Sequence, residues 1–420
     1  MSVRKRQWHT RAQVQTLAKE LGVKVEKAKE ELRLALRNDD AKLLKQYPPQ
    51  EAWIVDYAAN GSRHLKTFEH KKDADLYSKQ VGVDVDKGTH IAPSKSKTVA
   101  EAGDLWIKAC EGAELERATI DGYKQHLRLH IKPRLGHYKL TALNVPMMRK
   151  FKDDLSADGR SSTRVRVVMA SLSALLADAM ERGLVATNAV RSMKRERKRK
   201  SKSGQKQKLK VGIDIPTPDE IKRLIPHLPD KYRPLLLTAI FTGLRASELR
   251  GLRWEDVDLP HGKLTVSQRA DRYNKIDKPK SESSERTVPL MPMVVNTLGE
   301  WKLRCPKAEH GKLEYVFPTG TGEIEYHSNI LQRGLEPAQI AAKIVNDKGK
   351  PKYALHALRH FYASWCINRA KDGGLELPLK MVQERLGHAT LAMTADRYGH
   401  LFPSGDDGAE LAKAEKLFFA

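Results

Sequence analysis

The sequence has few cysteines and no long apolar run. Its 420 residues include only three cysteines, Cys110, Cys305 and Cys366, which are widely spaced. An odd, scattered set predicts no disulfide framework and is typical of a reducing compartment. No stretch approaches the roughly 20 apolar residues of a membrane span, and no apolar segment of a signal peptide follows the basic N-terminus. We therefore expect a cytoplasmic protein without membrane contact.

Acidic residues are also scarce relative to basic ones. The chain has 52 Asp and Glu against 76 Lys and Arg, which gives a net charge of +24. This excess predicts a polyanionic partner, most simply nucleic acid. Residues 191–210 hold eleven Lys or Arg and one Glu, which predicts a disordered tether that crosses a DNA backbone between two domains. Lys198, Arg199 and Lys200 are the candidate contacts within it.

The length of the chain exceeds that of one ordinary core and predicts several domains. Two strand patterns, 52–57 and 63–68, meet at Asn60-Gly61, which predicts a hairpin. Leucines at helical spacing in residues 9–50 predict a helical insertion before that hairpin. The expected divisions are a small α+β domain (1–90), a helical domain (95–193), a basic linker (194–212) and a C-terminal domain (213–420).

The second division, residues 95–193, is dominated by helical patterns. Lys124, Arg128 and Lys132 recur every four residues, which places them on one helix face. Such a row is often only a solvated face, and contact with phosphate is the alternative. Arg164 lies at the predicted start of another helix, where it could also meet a phosphate.

The stretch Thr242–Trp254 predicts a helix entered through Gly243. Arg245 and Glu248 lie three residues apart, so they share a helix face and can form an ion pair. An arginine held in this way presents its planar fork to two phosphate oxygens. The alternative is an ordinary surface ion pair.

Four more motifs follow in the C-terminal half. They are Lys280 ahead of Ser-Glu-Arg-Thr-Val-Pro-Leu, His356-Ala-Leu-Arg359-His360, Leu-Gly-His388 and Tyr398-Gly-His-Leu-Phe. His356 and His360 have the spacing of zinc ligands on a helix, but no Glu lies between them and Arg359 is a poor neighbour for a cation. No carboxylate cluster indicates a magnesium site. We therefore expect no metal and no cofactor.

In this order and at these spacings, the motifs resemble the active site of the tyrosine recombinase (phage integrase) family. The resemblance is close over residues 213–403 and looser upstream to about residue 95. It implies that Tyr398 attacks a DNA phosphodiester and forms a 3′-phosphotyrosine bond. The other implied catalytic residues are Arg245 and Arg359 as phosphate clamps, Lys280 as the general acid, His356 as a proton acceptor or relay and His388 as a hydrogen-bond donor. Lys278 competes with Lys280 for the role of acid.

The resemblance also implies a fold and partners. The fold class is mainly α and multidomain. It has a small α+β arm-type domain, a helical core-binding (SAM-like) domain and a mixed α/β catalytic domain with a small antiparallel sheet. The implied protein integrates and excises a phage, genomic island or similar element as a homotetramer on paired double-stranded DNA attachment sites, within the nucleoid. An excisionase and a DNA-bending host factor are possible partners. A non-catalytic DNA-binding protein and a type IB topoisomerase-like enzyme are the rival interpretations.

Overall fold

The computed structural model describes residues 1–59, 62–86, 96–193, 208–279, 281–309, 311–402 and 407–420. Several predicted features lie outside the described residues: the Asn60-Gly61 turn, Lys280, Lys198, Arg199 and Lys200. The contacts within the chain divide it into two units, residues 1–197 and 198–420. None of the described helices is both long and apolar enough to cross a membrane.

The first unit begins with a three-stranded antiparallel sheet interrupted by three helices. The elements are β1 (Ser2–Trp8), α1 (Arg11–Leu21), α2 (Val25–Asn38), α3 (Ala41–Gln46), β2 (Gln50–Ala59), β3 (Ser62–Phe68) and α4 (Lys71–Asp86). The strand order is β1-β2-β3, with Val3 opposite Val55 and Ile54 opposite Thr67. Helix α4 buries Ala74 and Val81 against Val55 and its neighbours. The predicted hairpin strands and the predicted helical insertion are therefore both present.

The three inserted helices have a small core of their own. Thr10 caps α1 by accepting a hydrogen bond from the backbone of Gln13, whose side chain accepts one from the Thr10 backbone. Gly22 ends this helix with φ +64°, a conformation that glycine adopts without strain. Leu17 and Leu32 are buried together with Tyr47, so part of the leucine pattern lies on a packed helical face, whereas Leu21 and Leu34 are exposed.

The described residues 96–193 of the first unit are mainly helical. It consists of α5 (Val99–Gly112), α6 (Arg117–His126), α7 (Lys132–Leu135), α8 (Val145–Ala157) and α9 (Ser162–Glu181). Between α6 and α7 the chain makes a wider, π-type helical turn over Leu127–Ile131. Trp106, Phe151 and Leu172 are among the buried residues that hold these helices around one core.

The second unit combines ten α-helices, counted over the described residues, with two small sheets. The helices are α10 (Pro218–Leu224), α11 (Arg233–Thr242), α12 (Ala246–Gly251), α13 (Pro292–Arg304), α14 (His327–Asn329), α15 (Glu336–Ala341), α16 (Leu355–Ile367), α17 (Leu379–Leu386), α18 (Leu391–Tyr398) and α19 (Asp407–Phe418). The strands are β4 (Val257–Asp258), β5 (Lys263–Val266), β6 (Arg269–Ala270), β7 (Ile276–Asp277) and β8 (Arg286–Pro289). One sheet has the order β4-β5-β8, and β6 pairs with β7.

Local sequence signals explain how this unit begins and how its centre is built. Thr217 and Glu220 form a capping box, and Pro218 occupies the first helical position of α10. Helix α11 is buried along almost its whole length and packs against α16. The predicted mainly helical fold with a small antiparallel sheet is confirmed. The predicted helix Thr242–Trp254 is shorter than expected, because the left-handed Gly243 ends α11 and α12 covers only Ala246–Gly251.

Candidate active site

Two helix ends provide the acceptors that hold the two motif arginines. Arg359 donates from Nη1 to the carbonyl of Gly243, just past the end of α11, at 2.6 Å. It donates from Nη2 to the carbonyl of Leu386, the last residue of α17, also at 2.6 Å. Arg245 donates to the carbonyl of Gly387 at 3.1 Å. The carbonyls at a helix C-terminus lack partners within the helix and carry partial negative charge, so they suit guanidinium groups.

The glycines in these motifs have a steric explanation. Gly243 and Gly387 have φ values of +64° and +62°, in the left-handed region. A Cβ on Gly243 would collide with the ring of Tyr362, and a Cβ on Gly387 would lie 2.9 Å from Nη1 of Arg286. Each glycine therefore ends a helix and leaves room for a side chain of the site.

The carboxylate of Glu248 joins two arginines. It accepts from the Arg245 backbone at 2.8 Å and from Arg245 Nη1 at 2.7 Å. It also accepts from Arg286 Nη2 at 2.9 Å and from Arg286 Nη1 at 3.2 Å. Because Glu248 is only 3% exposed, the interpretation as an ordinary surface pair is wrong. Burial by itself raises the pKa of Glu248, but Arg286, Arg245 and Arg359 outweigh it and hold this pKa below its usual value.

Arg286 is a member of the site that the sequence analysis missed. Its side chain is 6% exposed and its Nε donates to the carbonyl of Arg385 at 2.7 Å. It thereby ties the start of β8 to the end of α17 and to Glu248 on α12. The available signal was an arginine at the start of a strand, inside the motif that follows Lys280.

Arg359 is the most deeply buried arginine of the site, with 2% of its surface exposed. Burial and repulsion from Arg245 lower its pKa, and the charge of Glu248 opposes this shift. An arginine keeps its charge in proteins, so this burial is offset by the two helix-end carbonyls and by Glu248. The two carbonyl bonds use two of the five N–H donors of its guanidinium.

Tyr398 ends α18 and is 1% exposed. Its hydroxyl lies 2.7 Å from Nδ1 of His360. Its ring is parallel to that of His388, with centroids 6.3 Å apart, and Nδ1 of His388 lies 2.9 Å from the hydroxyl of Thr394. His356 is exposed, and its ring centroid lies 4.6 Å from that of His360.

The positive charges of the site disfavour protonation of its histidines. Burial, with repulsion from Arg359 and neighbouring arginines, lowers the pKa of His388 to about 4. Burial, His356 and Arg397 lower the pKa of His360 to about 3. The pKa of His356 is also lowered, by partial desolvation and by Arg359. Burial raises the pKa of Tyr398, although Arg359 and two further arginines oppose this shift.

The structure therefore brings together five of the six predicted catalytic residues: Arg245, His356, Arg359, His388 and Tyr398. Lys280, outside the described residues, follows the β6–β7 hairpin. That hairpin is tied to α12 through Arg250, which donates to the carbonyl of Asp271 at 2.9 Å and also bonds Asn274. The exposed Lys278 accepts at its carbonyl from Arg269 Nε at 3.0 Å.

Three of the four predicted DNA contacts of the helical region have partners within the protein. Lys124 pairs with Glu111 at 2.6 Å, and Lys132 pairs with Asp104 at 2.8 Å. Both carboxylates belong to α5, so these two lysines share a side of their helix across the wide turn. Arg128 is exposed. Arg164 lies in the first turn of α9 and donates to Nε2 of His126 at 3.3 Å.

Comparison with known protein families decides what this constellation is. The model of the phage integrase family matches residues 216–404, and the model of the phage integrase N-terminal SAM-like domain matches residues 98–156. Together they cover more than half of the chain. The chain belongs to the tyrosine recombinase family of phage integrases. It is a tyrosine site-specific recombinase, an enzyme that breaks and rejoins DNA strands.

Relatives of this recombinase extend the likeness beyond the two matched regions. A tyrosine recombinase XerC-like protein of Caldanaerobacter subterraneus is 28% identical over 361 residues, which are 80% of this chain and 86% of that protein. The ICEBs1 integrase of Bacillus subtilis is 24% identical over 317 residues, 74% of this chain and 81% of that integrase.

A solved structure shares the fold of the recombinase. It is that of a Tn1549 transposon integrase in complex with a circular intermediate DNA. It has a TM-score of 0.59 and 19% identity, and it covers 77% of this chain and 100% of that chain.

Proposed function

We propose that Tyr398 is the nucleophile of this recombinase. The observation that carries the proposal is the buried Tyr398 hydroxyl, which lies 2.7 Å from Nδ1 of His360. The same site contains Arg359 and Arg245, both held by carbonyls at helix ends. In the reaction, the Tyr398 oxygen bonds to phosphorus and its proton goes to His356. The bond from phosphorus to the 5′-oxygen breaks, and this oxygen takes a proton from Lys280. The energy of the DNA bond is kept in the phosphotyrosine, so rejoining needs no cofactor.

Arg245 and Arg359 bind the non-bridging oxygens of the phosphate. Their partners within the protein leave further N–H donors of each guanidinium for the substrate. Because the guanidinium groups are already placed, they stabilise the charge of the transition state without reorganisation. Glu248 and Arg286 position these arginines without contacting the phosphate themselves. The Glu248 carboxylate binds Arg245, and Arg286 binds the same carboxylate.

His388 donates a hydrogen bond to the phosphate. The hydroxyl of Thr394 lies at its Nδ1, so a neutral ring that accepts there carries its proton on Nε2. His356 is the exposed histidine of the site and is suited to accept the tyrosine proton and pass it on. The phosphate of bound DNA raises the pKa of both rings by adding negative charge.

Lys280 is the proposed general acid, and Lys278 is its rival. A bridging sulfur at the 5′ position makes the leaving group much less basic, so cleavage no longer needs the acid. Lys280→Ala should slow cleavage of ordinary DNA by ~10²–10⁴-fold and should recover on sulfur-bridged DNA. Cleavage by Arg245→Ala should not recover on sulfur-bridged DNA, because Arg245 is proposed to bind the non-bridging oxygens of the phosphate. Recovery of Lys278→Ala instead would assign the acid to Lys278, and recovery of neither would exclude both.

The other parts of the chain are proposed to hold the DNA. Residues 1–90 bind arm-type sites, and residues 95–193 clamp the core site. The linker 194–212 crosses the DNA backbone. The candidate contacts are Lys124, Arg128, Lys132, Arg164, Lys198, Arg199 and Lys200. Support comes from the net charge of +24 and from the match of residues 98–156 to the integrase SAM-like domain.

The proposed biological role is to integrate and excise a phage or another mobile element. Four protomers would act on two attachment sites, with an excisionase and a DNA-bending host factor as further partners, in the cytoplasm at the nucleoid. A lambda integrase tetramer bound to a Holliday junction has the same fold, with a TM-score of 0.52 and 16% identity, and covers 81% of this chain and 93% of that chain. The exposed Leu411, Leu417 and Phe418 of α19 and the adjacent Phe419 suit contact with a neighbouring protomer.

The test uses a nicked suicide substrate made from DNA that the full chain selects from a random duplex library. The parent enzyme should form a protein–DNA adduct that resists SDS. Tyr398→Phe should bind the same DNA and form no adduct. Tyr362→Phe is the matched control, because Tyr362 is equally buried, and it should still form the adduct. An adduct formed by Tyr398→Phe would contradict the proposal.

A further inference from the structure

His360 is a buried histidine of the site that has no role in the reaction proposed above. It is 6% exposed and lies one turn after His356 on α16. Its two ring nitrogens have different partners. Nδ1 lies 2.7 Å from the hydroxyl oxygen of Tyr398, and Nε2 lies 3.3 Å from Nη2 of Arg397.

These partners determine where the ring carries its proton. A guanidinium can only donate hydrogen bonds, so Nε2 of His360 must be the acceptor. A neutral imidazole has a single N–H, which is therefore at Nδ1. The Nδ1–H then donates to the oxygen of Tyr398. In this arrangement His360 cannot take the tyrosine proton, because its one lone pair is already used by Arg397.

The charges around the ring keep it neutral. His356 and Arg359 face it from α16, Arg397 from α18, and His388 from the turn before α18. A second proton on His360 would be buried and repelled by these groups. The neutral form with Nδ1–H is therefore the one that meets Tyr398.

A donor at this position changes the chemistry of the phenol. Burial disfavours the charged phenolate, and a hydrogen bond donated to a charged oxygen is stronger than one donated to a neutral oxygen. We propose that Arg397 and His360 form a positioning pair that holds the Tyr398 oxygen as a hydrogen-bond acceptor and thereby favours its ionised form for attack on DNA. This inference rests on the proposed role of Tyr398 as the nucleophile.

The test measures single-turnover formation of the covalent adduct at saturating DNA, from about pH 6 to pH 10, around the ordinary phenol pKa of about 10. His360→Leu removes the donor and should slow the reaction by roughly 10- to 100-fold near neutral pH. Its rate should approach that of the parent enzyme as the pH rises. His360→Asn, whose amide nitrogen can occupy the position of Nδ1, should stay close to the parent. His360→Gln, whose amide reaches the position of Nε2, should resemble His360→Leu.

A second variant covers the case in which His360→Leu does not fold. Arg397 is exposed, so Arg397→Leu should fold. This substitution frees Nε2 of His360, so the ring proton can move from Nδ1 to Nε2, away from Tyr398. The rise of the cleavage rate with pH should then shift to higher pH. A 3-fluorotyrosine at position 398, which ionises more easily, should restore the rate of either slow variant near neutral pH. A loss of placement alone would not be restored in this way.

The results separate this inference from the proposed function. If the parent enzyme forms no adduct, or forms it on another residue, the proposed nucleophile is wrong and the inference falls with it. If the parent cleaves through Tyr398 but His360→Leu and Arg397→Leu keep its pH profile, the positioning pair is wrong and the nucleophile stands. Equal slowing at every pH, without rescue by the fluorinated tyrosine, would also contradict the pair.

Discussion

The two units of the chain use positive charge in different ways. Around Tyr398, Arg286 and Arg359 are 6% and 2% exposed and bond to a carboxylate or to helix ends. In the helical region of residues 96–193, the side chains of Lys124 and Glu111 are 50% and 46% exposed. A charge that must meet one phosphate needs a fixed place, and this requires buried partners. A charge that follows a DNA backbone can stay flexible and solvated.

The largest expected contrast concerns the carboxylates of the two regions. Glu248→Ala leaves Arg286 buried without its partner, which should cost about 3–5 kcal/mol in the free energy of unfolding. Glu111→Ala, at the exposed pair with Lys124, should leave the free energy of unfolding nearly unchanged, because water screens an exposed ion pair. Urea denaturation of both variants measures the two losses. Equal losses would remove the distinction between a buried network and a solvated pair.

The neutral histidines of the active site make stability depend on pH. The pKa values of His360 and His388 are lowered to about 3 and about 4, whereas in the unfolded chain they are about 6.5. Below pH 6.5 the unfolded state therefore binds protons that the folded state does not. The stabilisation is present above about pH 6.5 and is lost as the pH falls, by ~1.4 kcal/mol per unit for each histidine.

Urea denaturation at several pH values between about 7 and 5 measures this slope. His360→Asn cannot take up the proton and should make the slope less steep. An unchanged slope in this variant would show that His360 titrates alike in the folded and unfolded chains.

Two of the left-handed glycines of the second unit, Gly349 and Gly387, offer a smaller contrast. Gly349→Ala, at φ +70° with open space around it, should cost only about 1–2 kcal/mol of backbone strain. Gly387→Ala has the same strain and also places a methyl group 2.9 Å from Arg286, so it should cost more and slow cleavage. Denaturation and single-turnover rates give both values. Equal losses with normal cleavage would mean that Arg286 moves aside without consequence.

The smallest effect is expected at the lysines that pair with α5. When DNA binds, Lys124 and Lys132 are expected to leave their carboxylate partners and to contact phosphates. Replacing both lysines by Gln should then reduce the slope of log affinity against log salt concentration by ~0.9 for each lost phosphate contact. The cleavage rate at saturating DNA should not change. Glu111→Gln with Asp104→Asn frees the lysines and should strengthen binding. An unchanged slope and affinity would identify these pairs as a solvated face only.

Contacts between residues close in the sequence could be predicted, whereas contacts between distant residues could not. Contacts between near neighbours were readable: the capping box of Thr217 and Glu220 and the pair of Arg245 and Glu248 follow from helical spacing. The partnership of Glu248 with Arg286 was not readable, because it joins residues 38 positions apart and no periodicity links them. The bond between His360 and Tyr398 spans the same separation. Motif order indicated Tyr398 as the proposed nucleophile, whereas its hydrogen-bond partner His360 could be identified only from the fold.

Whether a helix or strand could be predicted depended on whether its ends carry a local sequence signal. The predicted helix Thr242–Trp254 is interrupted because Gly243 takes a left-handed conformation that ends α11. The wide turn at Leu127–Ile131 carries no distinctive sequence signal. The strands on either side of the Asn60-Gly61 segment were predictable, since alternation and turn residues are both local features.

The most direct test of the central claim is to identify the residue that carries the DNA. The adduct trapped on the nicked suicide substrate is digested with trypsin and nuclease, and the peptide that retains a phosphonucleotide is sequenced by mass spectrometry. Because trypsin cuts after Arg397, the expected modified peptide begins at Tyr398 and carries the modification on that first residue. A modified peptide that contains Tyr353 or Tyr362 in place of Tyr398, or a modification on a serine or a cysteine, would contradict it.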